Sequence, residues 1–330
     1  MNKNLVLGLV HGYQFQHIRP FLSSLVNSGY NGDICLLISG LSPATMATLK
    51  EYSKNYKIIL HPVNANVSLF SIPYTIKNSR LLFKTVYPYQ LRKISLLNKV
   101  YVQIVKLLSQ FDRKNMYRIK SSIIKNFLTT WCVRYPLYWL YLYKLGNFYS
   151  NVMLTDVRDV LFQKDPFDFS FNGLCFFLED KTIVDCKINS QWLINAYGQE
   201  TLNKISKNKI SCSGTTIGTY SAIMNYLEKM IDQLVKVNDR SVGIDQGIHN
   251  YILHTNLIQN VSVFENFYGP VLTIHNTDEK NIFLNTDDYL IDRNGCIINV
   301  LHQYDRLSKK FRDQIKVYRE AQADTAIFYT

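Results

Sequence analysis

Three short runs of nearly uninterrupted apolar residues, NLVLGLV at 4–10, DICLLIS at 33–39 and KIILH at 57–61, are separated by two segments of helical character. A strand that is apolar at every position must be covered on both faces, because an alternating strand would suffice if one face met water. Such strands alternating with helices predict a mostly parallel sheet flanked by helices, the pattern of an α/β chain. The first helix is expected near 19–28, stopped by Gly29. The second is expected over 44–55, with Ser42 as N-cap and Pro43 in its first turn. Further strands are expected at 151–155 and 173–179, and helices at 190–197, 220–237 and 243–254. Residues 211–218 read as a small-residue loop, and 271–301 as short strands joined by turns at 276–278, 287–288 and 294–295.

The 330 residues are 47% hydrophobic and 19% charged, enough for a substantial core. No repeat or low-complexity linker divides them, so residues 1–330 are expected to form a single domain. No run reaches the roughly 18 apolar residues that a spanning helix needs. The N-terminus reads as a first strand, not as a signal peptide. Six cysteines lack any CxxC pairing, and most lie in apolar runs. They read as buried free thiols in a reducing compartment, which places the chain in the cytoplasm.

The net charge of +12 is uneven. Ten basic residues fall between Lys84 and Lys125, and Asp112 is the only acid there. Within that segment Ile94, Leu97, Tyr101, Ile104, Leu108 and Phe111 recur at helical spacing, with Lys99, Lys106 and Arg113 every seven residues beside them. Residues 134–145 form a second helical stretch rich in Tyr and Trp, so 84–146 is expected to be a basic, aromatic helical insertion. It would meet either solvent or an anionic membrane surface, the latter putting the protein at the inner face of the membrane. No nucleic-acid motif accompanies the charge, and nucleic acid is not an expected partner.

The strand at 151–155 runs directly into Asp156 and Asp159, in the stretch 155-TDVRDVLFQKDPF-167. In open α/β sheets ligands bind beyond the carboxyl ends of strands. Carboxylates placed there can hold Mg²⁺ or Mn²⁺ against phosphate oxygens, or can simply cap turns. Three other features bear on the choice. His302 follows an apolar strand and heads HQYD, and an imidazole beside two carboxylates is more typical of Mn²⁺ than of Mg²⁺. Asp245 and Gln246 sit at a helix start, where Asp245 could equally be an N-cap. Ser213 and Gly214 offer small residues before a helix, as either a phosphate cradle or plain turn chemistry. No Walker A, GxGxxG or GxSxG motif is present. The commonest α/β phosphohydrolases require acids two apart, and position 158 is arginine.

Together 155-TDVRDVLFQKDPF-167, 189-NSQWLINAYG-198, 212-CSGTTIG-218, 243-GIDQGIHNYIL-253 and 302-HQYD-305 resemble nucleotide-diphospho-sugar glycosyltransferases of the GT-A fold. The resemblance spans residues 134–305, about half the chain. It implies a Rossmann-like, mixed but mostly parallel sheet. It also implies a metal-dependent transfer from a nucleotide sugar, a UDP-sugar by preference, to a glycan or lipid-linked acceptor. Asp156 and Asp159 would match the DxD carboxylates, and their D-x-x-D spacing leaves open which one meets the metal. His302 would be the C-terminal metal ligand. Arg134 would contact the nucleotide. Arg158 would touch phosphate or pair with a carboxylate, and Ser213 and Gly214 would face the donor. Asp245 and Gln246 would lie by the reacting sugar, with Asp245 as general base under inversion. Under retention, common for such carboxylate-and-histidine sites and the reading carried forward, both would stabilise the oxocarbenium-like state. Trp192 and Tyr197 would line an acceptor site or pack in the core. The competing reading is a non-catalytic basic adaptor at a membrane or nucleic acid.

Overall fold

The computed structural model describes residues 3–65, 70–75, 81–86, 88–92, 94–238 and 242–323, with the backbone alone over 70–75 and 81–86. β1 (Asn4–His11), α1 (Phe15–Asn27), β2 (Asp33–Ser39), α2 (Pro43–Tyr56) and β3 (Ile58–Pro62) alternate as expected. Ser42 accepts the backbone N–H of Thr45 and Pro43 opens α2, so the predicted cap is present. β4 (Phe70–Thr75) and β5 (Leu81–Val86) form an antiparallel pair. Four helices follow: α3 (Pro88–Leu91), α4 (Ser95–Phe111), α5 (Met116–Ile124) and α6 (Thr130–Leu145). The expected helical segment 84–146 thus starts inside a strand, in keeping with the β-branched and aromatic residues of LLFKTV.

Downstream come β6 (Asn151–Thr155), β7 (Val160–Phe162), β8 (Leu174–Thr182), α7 (Lys187–Tyr197), α8 (Gln199–Ile205), β9 (Lys209–Ser211) and β10 (Thr215–Thr219). Then follow α9 (Tyr220–Lys236), α10 (Ile244–His254), β11 (Val261–Phe264), β12 (Val271–Thr273), β13 (Phe283–Leu284), β14 (Leu290–Ile291) and β15 (Val300–His302), with α11 (Lys309–Arg312) and α12 (Lys316–Ala323) last. The main sheet runs β11-β8-β10-β6-β1-β2-β3, with β9 paired to β8. Neighbours along it are parallel except β10, which is antiparallel to both β6 and β8. The expected small-residue loop at 211–218 is therefore mostly strand. Thr215, Thr216 and Ile217 are buried between two neighbours, where β-branched residues fit a central strand well.

Successive strand residues feed two cores. Leu5, Leu7, Cys35, Leu37, Val152, Leu154 and Phe176 pack toward α6, α9 and α10. Val6, Val10, Leu36, Ile38, Met153 and Phe177 pack toward α1 and α2 on the other face. That two-sided burial is the physical reason why these strands carry no polar alternation. The anticipated turns of the C-terminal third are present, with left-handed backbone at Asn276, Asp288 and Gly295.

Four cysteines are buried, Cys186 is half-buried and Cys296 is exposed, all as free thiols. Among the described residues no helix is long and apolar enough to cross a membrane. Of the ten cations, Lys93 and the Lys84 side chain lie outside the described residues. Arg92 is not a surface charge. It is 1% exposed, stacks on Tyr101, and donates to Asn98 and to the Leu234, Val235 and Val237 carbonyls at the end of α9.

Candidate metal and donor site

β6 ends at Thr155, and residues 156–159 turn the chain into β7. β7 joins a second sheet, β12-β15-β7, in which His302 lies opposite Val160. This pairing brings a histidine 143 positions further along the chain than Asp159 beside the strand-end carboxylates. One ligand atom from each of Asp156, Asp159 and His302 lies within 4.8 Å of the others. Gln303 adopts a left-handed backbone immediately after His302, and its N–H bonds the Asp159 carbonyl at 2.7 Å, which fixes the corner.

The residues present fit a divalent cation. His302 is fully buried, neither ring nitrogen has a hydrogen-bond partner, and Nε2 lies 3.7 Å from Asp156 Oδ2. Buried nitrogens are rarely left without partners unless a ligand completes them. Burial disfavours charge on His302, yet Cys212 and the two carboxylates raise its proton affinity well above the ordinary value. The corner therefore attracts positive charge. Burial pushes the Asp159 carboxyl up to about 6, with His302 opposing and Asp156 adding repulsion. Burial also acts against the Asp156 charge, but Arg134 and His302 outweigh it and hold that carboxyl below the usual range. Two carboxylates and an imidazole form a donor set suited to Mn²⁺ or Mg²⁺.

Gly214 closes the corner. A Cβ at this position would stand 2.5 Å from both Asp156 Oδ2 and His302 Nε2, so only glycine leaves the space between these two ligand atoms open. Its carbonyl accepts the Asp156 N–H at 2.8 Å.

Arg134 occupies the centre of the remaining network. It is nearly buried on α6, ion-paired to Asp156 through Nη1 and to Asp245 through Nη2 at 2.7 Å. The same Nη2 reaches Ser213 Oγ at 3.2 Å. Asp245 is 2% exposed and also accepts from the Tyr135 hydroxyl at 3.2 Å. Burial raises its carboxyl, against the pull of Arg134. Asp245 does not cap α10; Gly243 holds that position with no side-chain bond. Gln246 donates to Asn189 at 3.0 Å and accepts from the Cys212 thiol. Arg158 pairs with Asp305 at 2.7 Å and lines the cleft.

Of these groups Arg134, Asp156, Arg158, Asp159, Ser213, Gly214, Asp245 and Gln246 line one open cleft of about 480 Å³, whereas Tyr135, Asn189, His302 and Asp305 stand behind its walls. Trp192 lines it too, packed against Gly243 and Gly247. Tyr197 does not line it and stacks on Tyr251 instead, with ring centroids 3.8 Å apart. Sequence reasoning missed His11, Tyr13, Trp131 and Arg306, which complete the walls. The first two stand at or just past the carboxyl end of β1, so the strand-end rule could have found them. Trp131 and Arg306 carry no comparable local signal.

No protein-family model and no curated protein matches the sequence. The fold is similar to that of solved glycosyltransferases. An active-site mutant of LgtC superposes with a TM-score of 0.51 at 13% identity, over 98% of this chain and 95% of that one. Galactosyltransferase LgtC in complex with donor and acceptor sugar analogues gives 0.52 at 11% identity, over 99% and 97%. The bifunctional glycosyltransferase WbbM in its apo form gives 0.50 at 12% identity, over 98% of this chain and 50% of that one. At such identities the likeness is one of fold, and it agrees with the mixed, mostly parallel sheet flanked by helices.

Proposed function

We propose that the chain is a metal-dependent glycosyltransferase, moving a sugar from a nucleoside-diphosphate sugar to a hydroxyl of a glycan or lipid-linked acceptor. A UDP-sugar is the expected donor. The observation that carries this reading is the convergence of Asp156, Asp159 and the buried His302 at a strand end, with both carboxylates lining a cleft, in a fold similar to that of LgtC. These three residues would hold Mn²⁺ or Mg²⁺, which when bound supplies Lewis-acid stabilisation to the departing diphosphate.

Arg134 keeps Asp156 ionised and adds fixed positive charge beside the diphosphate. Ser213 and Gly214 form the turn that lets the donor approach closely, and Arg158 closes the rim through Asp305. Asp245 is buried, with Oδ2 held by Arg134 and Tyr135, so its position is fixed beside the reacting sugar. There it is suited to stabilising positive charge on the sugar, with Gln246 orienting a hydroxyl, in keeping with retention. Trp192 offers an apolar platform for the acceptor. The whole chain acts as one catalytic unit with 84–146 as an insertion, working on the cytoplasmic side with an anionic membrane surface as partner.

Calorimetric titration of UDP and GDP, with Mn²⁺ and then with excess EDTA, tests this. Manganese-dependent binding of one nucleotide, abolished in Asp159→Asn, is expected. If folded protein with metal ignores both nucleotides, UDP and GDP donors are ruled out. Normal binding in Asp159→Asn would remove the metal corner from the mechanism.

A further inference from the structure

Apart from Tyr101, the apolar stripe of α4 faces outward. Asn98, Tyr101, Val105 and Ser109 turn toward the protein and are buried. Opposite them Leu96, Leu97, Val100, Ile104, Leu107, Leu108 and Phe111 are exposed, Phe111 at 79% and Leu96 at 69%. A helix of a water-facing surface shows the reverse pattern, with its apolar residues toward the core. The arrangement is firmly held. Arg92 bonds Asn98 and the end of α9, and Tyr101 packs its ring on Phe127 at 5.0 Å. The outward face is thus a fixed feature of the fold.

Charge selects the occupant. Lys99 and Lys106, seven residues apart, are exposed along one flank of the apolar face. Arg113, Lys114 and Arg118 are exposed just beyond its C-terminal end. The only acid between 94 and 125 is Asp112, and it caps the turn at Asn115. A second copy docking through this face would bring the same cations together. An anionic lipid surface instead receives both features, with apolar side chains below the headgroups and lysines among the phosphates.

We infer that α4 is an interfacial anchor whose leucines and Phe111 enter the acyl boundary of an anionic bilayer while Lys99 and Lys106 contact lipid phosphates. α4 packs on α5, and α5 on α6, the helix that carries Arg134 and, at its start, the cleft residue Trp131. The anchor would therefore hold the cleft close to the bilayer. This inference does not depend on the glycosyl-transfer reading, because lipid binding needs neither donor nor metal.

Flotation of the purified full chain with phosphatidylcholine vesicles, with and without phosphatidylglycerol, decides it. The protein is expected to float with the anionic vesicles and far less with the neutral ones. Leu107→Glu/Phe111→Glu and Lys99→Glu/Lys106→Glu should each lower vesicle affinity by more than about tenfold. Melting temperature and UDP binding should be unchanged. Phe111→Trp serves as a reporter that leaves the apolar face intact, and its emission should shift to the blue and be quenched by brominated lipid. Failure of the unaltered protein to float with anionic vesicles would overturn the inference. So would undiminished flotation of Leu107→Glu/Phe111→Glu, or a solution dimer that this variant converts to monomer.

Discussion

Gly214 is the residue at which the metal corner is most sensitive to a single carbon. The atoms that an added Cβ would meet are the ends of Asp156 and His302, which can shift without disturbing the backbone. Gly214→Ala should therefore fold, at a cost of about 1–3 kcal/mol from overpacking. On the proposed function, nucleotide affinity in the presence of Mn²⁺ should nonetheless fall by more than about tenfold, since metal ligands tolerate only a few tenths of an ångström. Calorimetry beside urea denaturation separates the two effects. Glu179 tests a different property. It is 1% exposed, accepts from Asn276 at 3.1 Å, and burial pushes its carboxyl from 4.5 up to about 7. Between those values the folded protein binds more protons than the unfolded chain, so stability declines as pH rises through that window. The contribution is fully present below about pH 4.5 and gone above about 7. Glutamine mimics the neutral acid and can still accept from Asn276. Glu179→Gln should add on the order of 2–3 kcal/mol at about pH 8 and almost nothing at about pH 4. Equal effects at both pH values would show that the buried charge is not the cause.

Among the elements, the short sheet β12-β15-β7 places His302 beside the strand-end carboxylates, and Gln163 ties it down. Its amide donates to the Leu290 and Ile298 carbonyls at 2.9 and 2.8 Å, and its oxygen accepts the Leu290 N–H at 2.8 Å. Gln163→Ala would leave the Ile298 carbonyl and the Leu290 N–H without these partners, while the Leu290 carbonyl keeps the Ile298 N–H, and should cost about 2–4 kcal/mol in denaturant unfolding. Because β7 pairs with the strand carrying His302, metal affinity should weaken in the same variant. Within 155-TDVRDVLFQKDPF-167 the division of labour is now plain. The two carboxylates face the corner, Arg158 braces the rim, and Gln163 and Asp165 build structure, Asp165 by accepting the Phe167 N–H. That stretch was legible in the sequence because chemistry and turn signals sit side by side. The βαβ start was legible because strand burial and helix capping are local. The pairing of β7 with β15 was not, since no local pattern records which distant strand a three-residue segment joins. Nor was the outward face of α4, because periodicity reveals that a stripe exists and not which side of the helix meets the protein. The Thr215–Thr219 strand was hidden by small residues that serve turns and crowded central strands equally.

At the scale of the whole molecule the metal corner is a concentration of like charge that the fold sustains at some expense. Asp156 and Asp159 crowd together, and burial makes both costly, with Arg134 and His302 the main relief. A divalent cation with a nucleoside diphosphate would complete this charge pattern in the native state alone. Ligands that bind only the folded chain stabilise it by about 2.7 kcal/mol at roughly a hundredfold excess over Kd. Thermal melting should therefore shift upward by several degrees with Mn²⁺ and UDP together, and hardly at all with UDP in EDTA. Asp159→Asn makes the reading sharper. Removing one of two crowded carboxylates should leave the unliganded melting temperature equal or higher, while the response to Mn²⁺ and UDP disappears. A merely destabilised variant would melt lower and still respond. Changes on α4 should leave the response intact, since that face touches neither the corner nor the cleft. If UDP shifted the melt equally in EDTA, the nucleotide would be held without a metal bridge. The three convergent side chains would then be a structural cluster, and the donor would have to be placed elsewhere along the cleft.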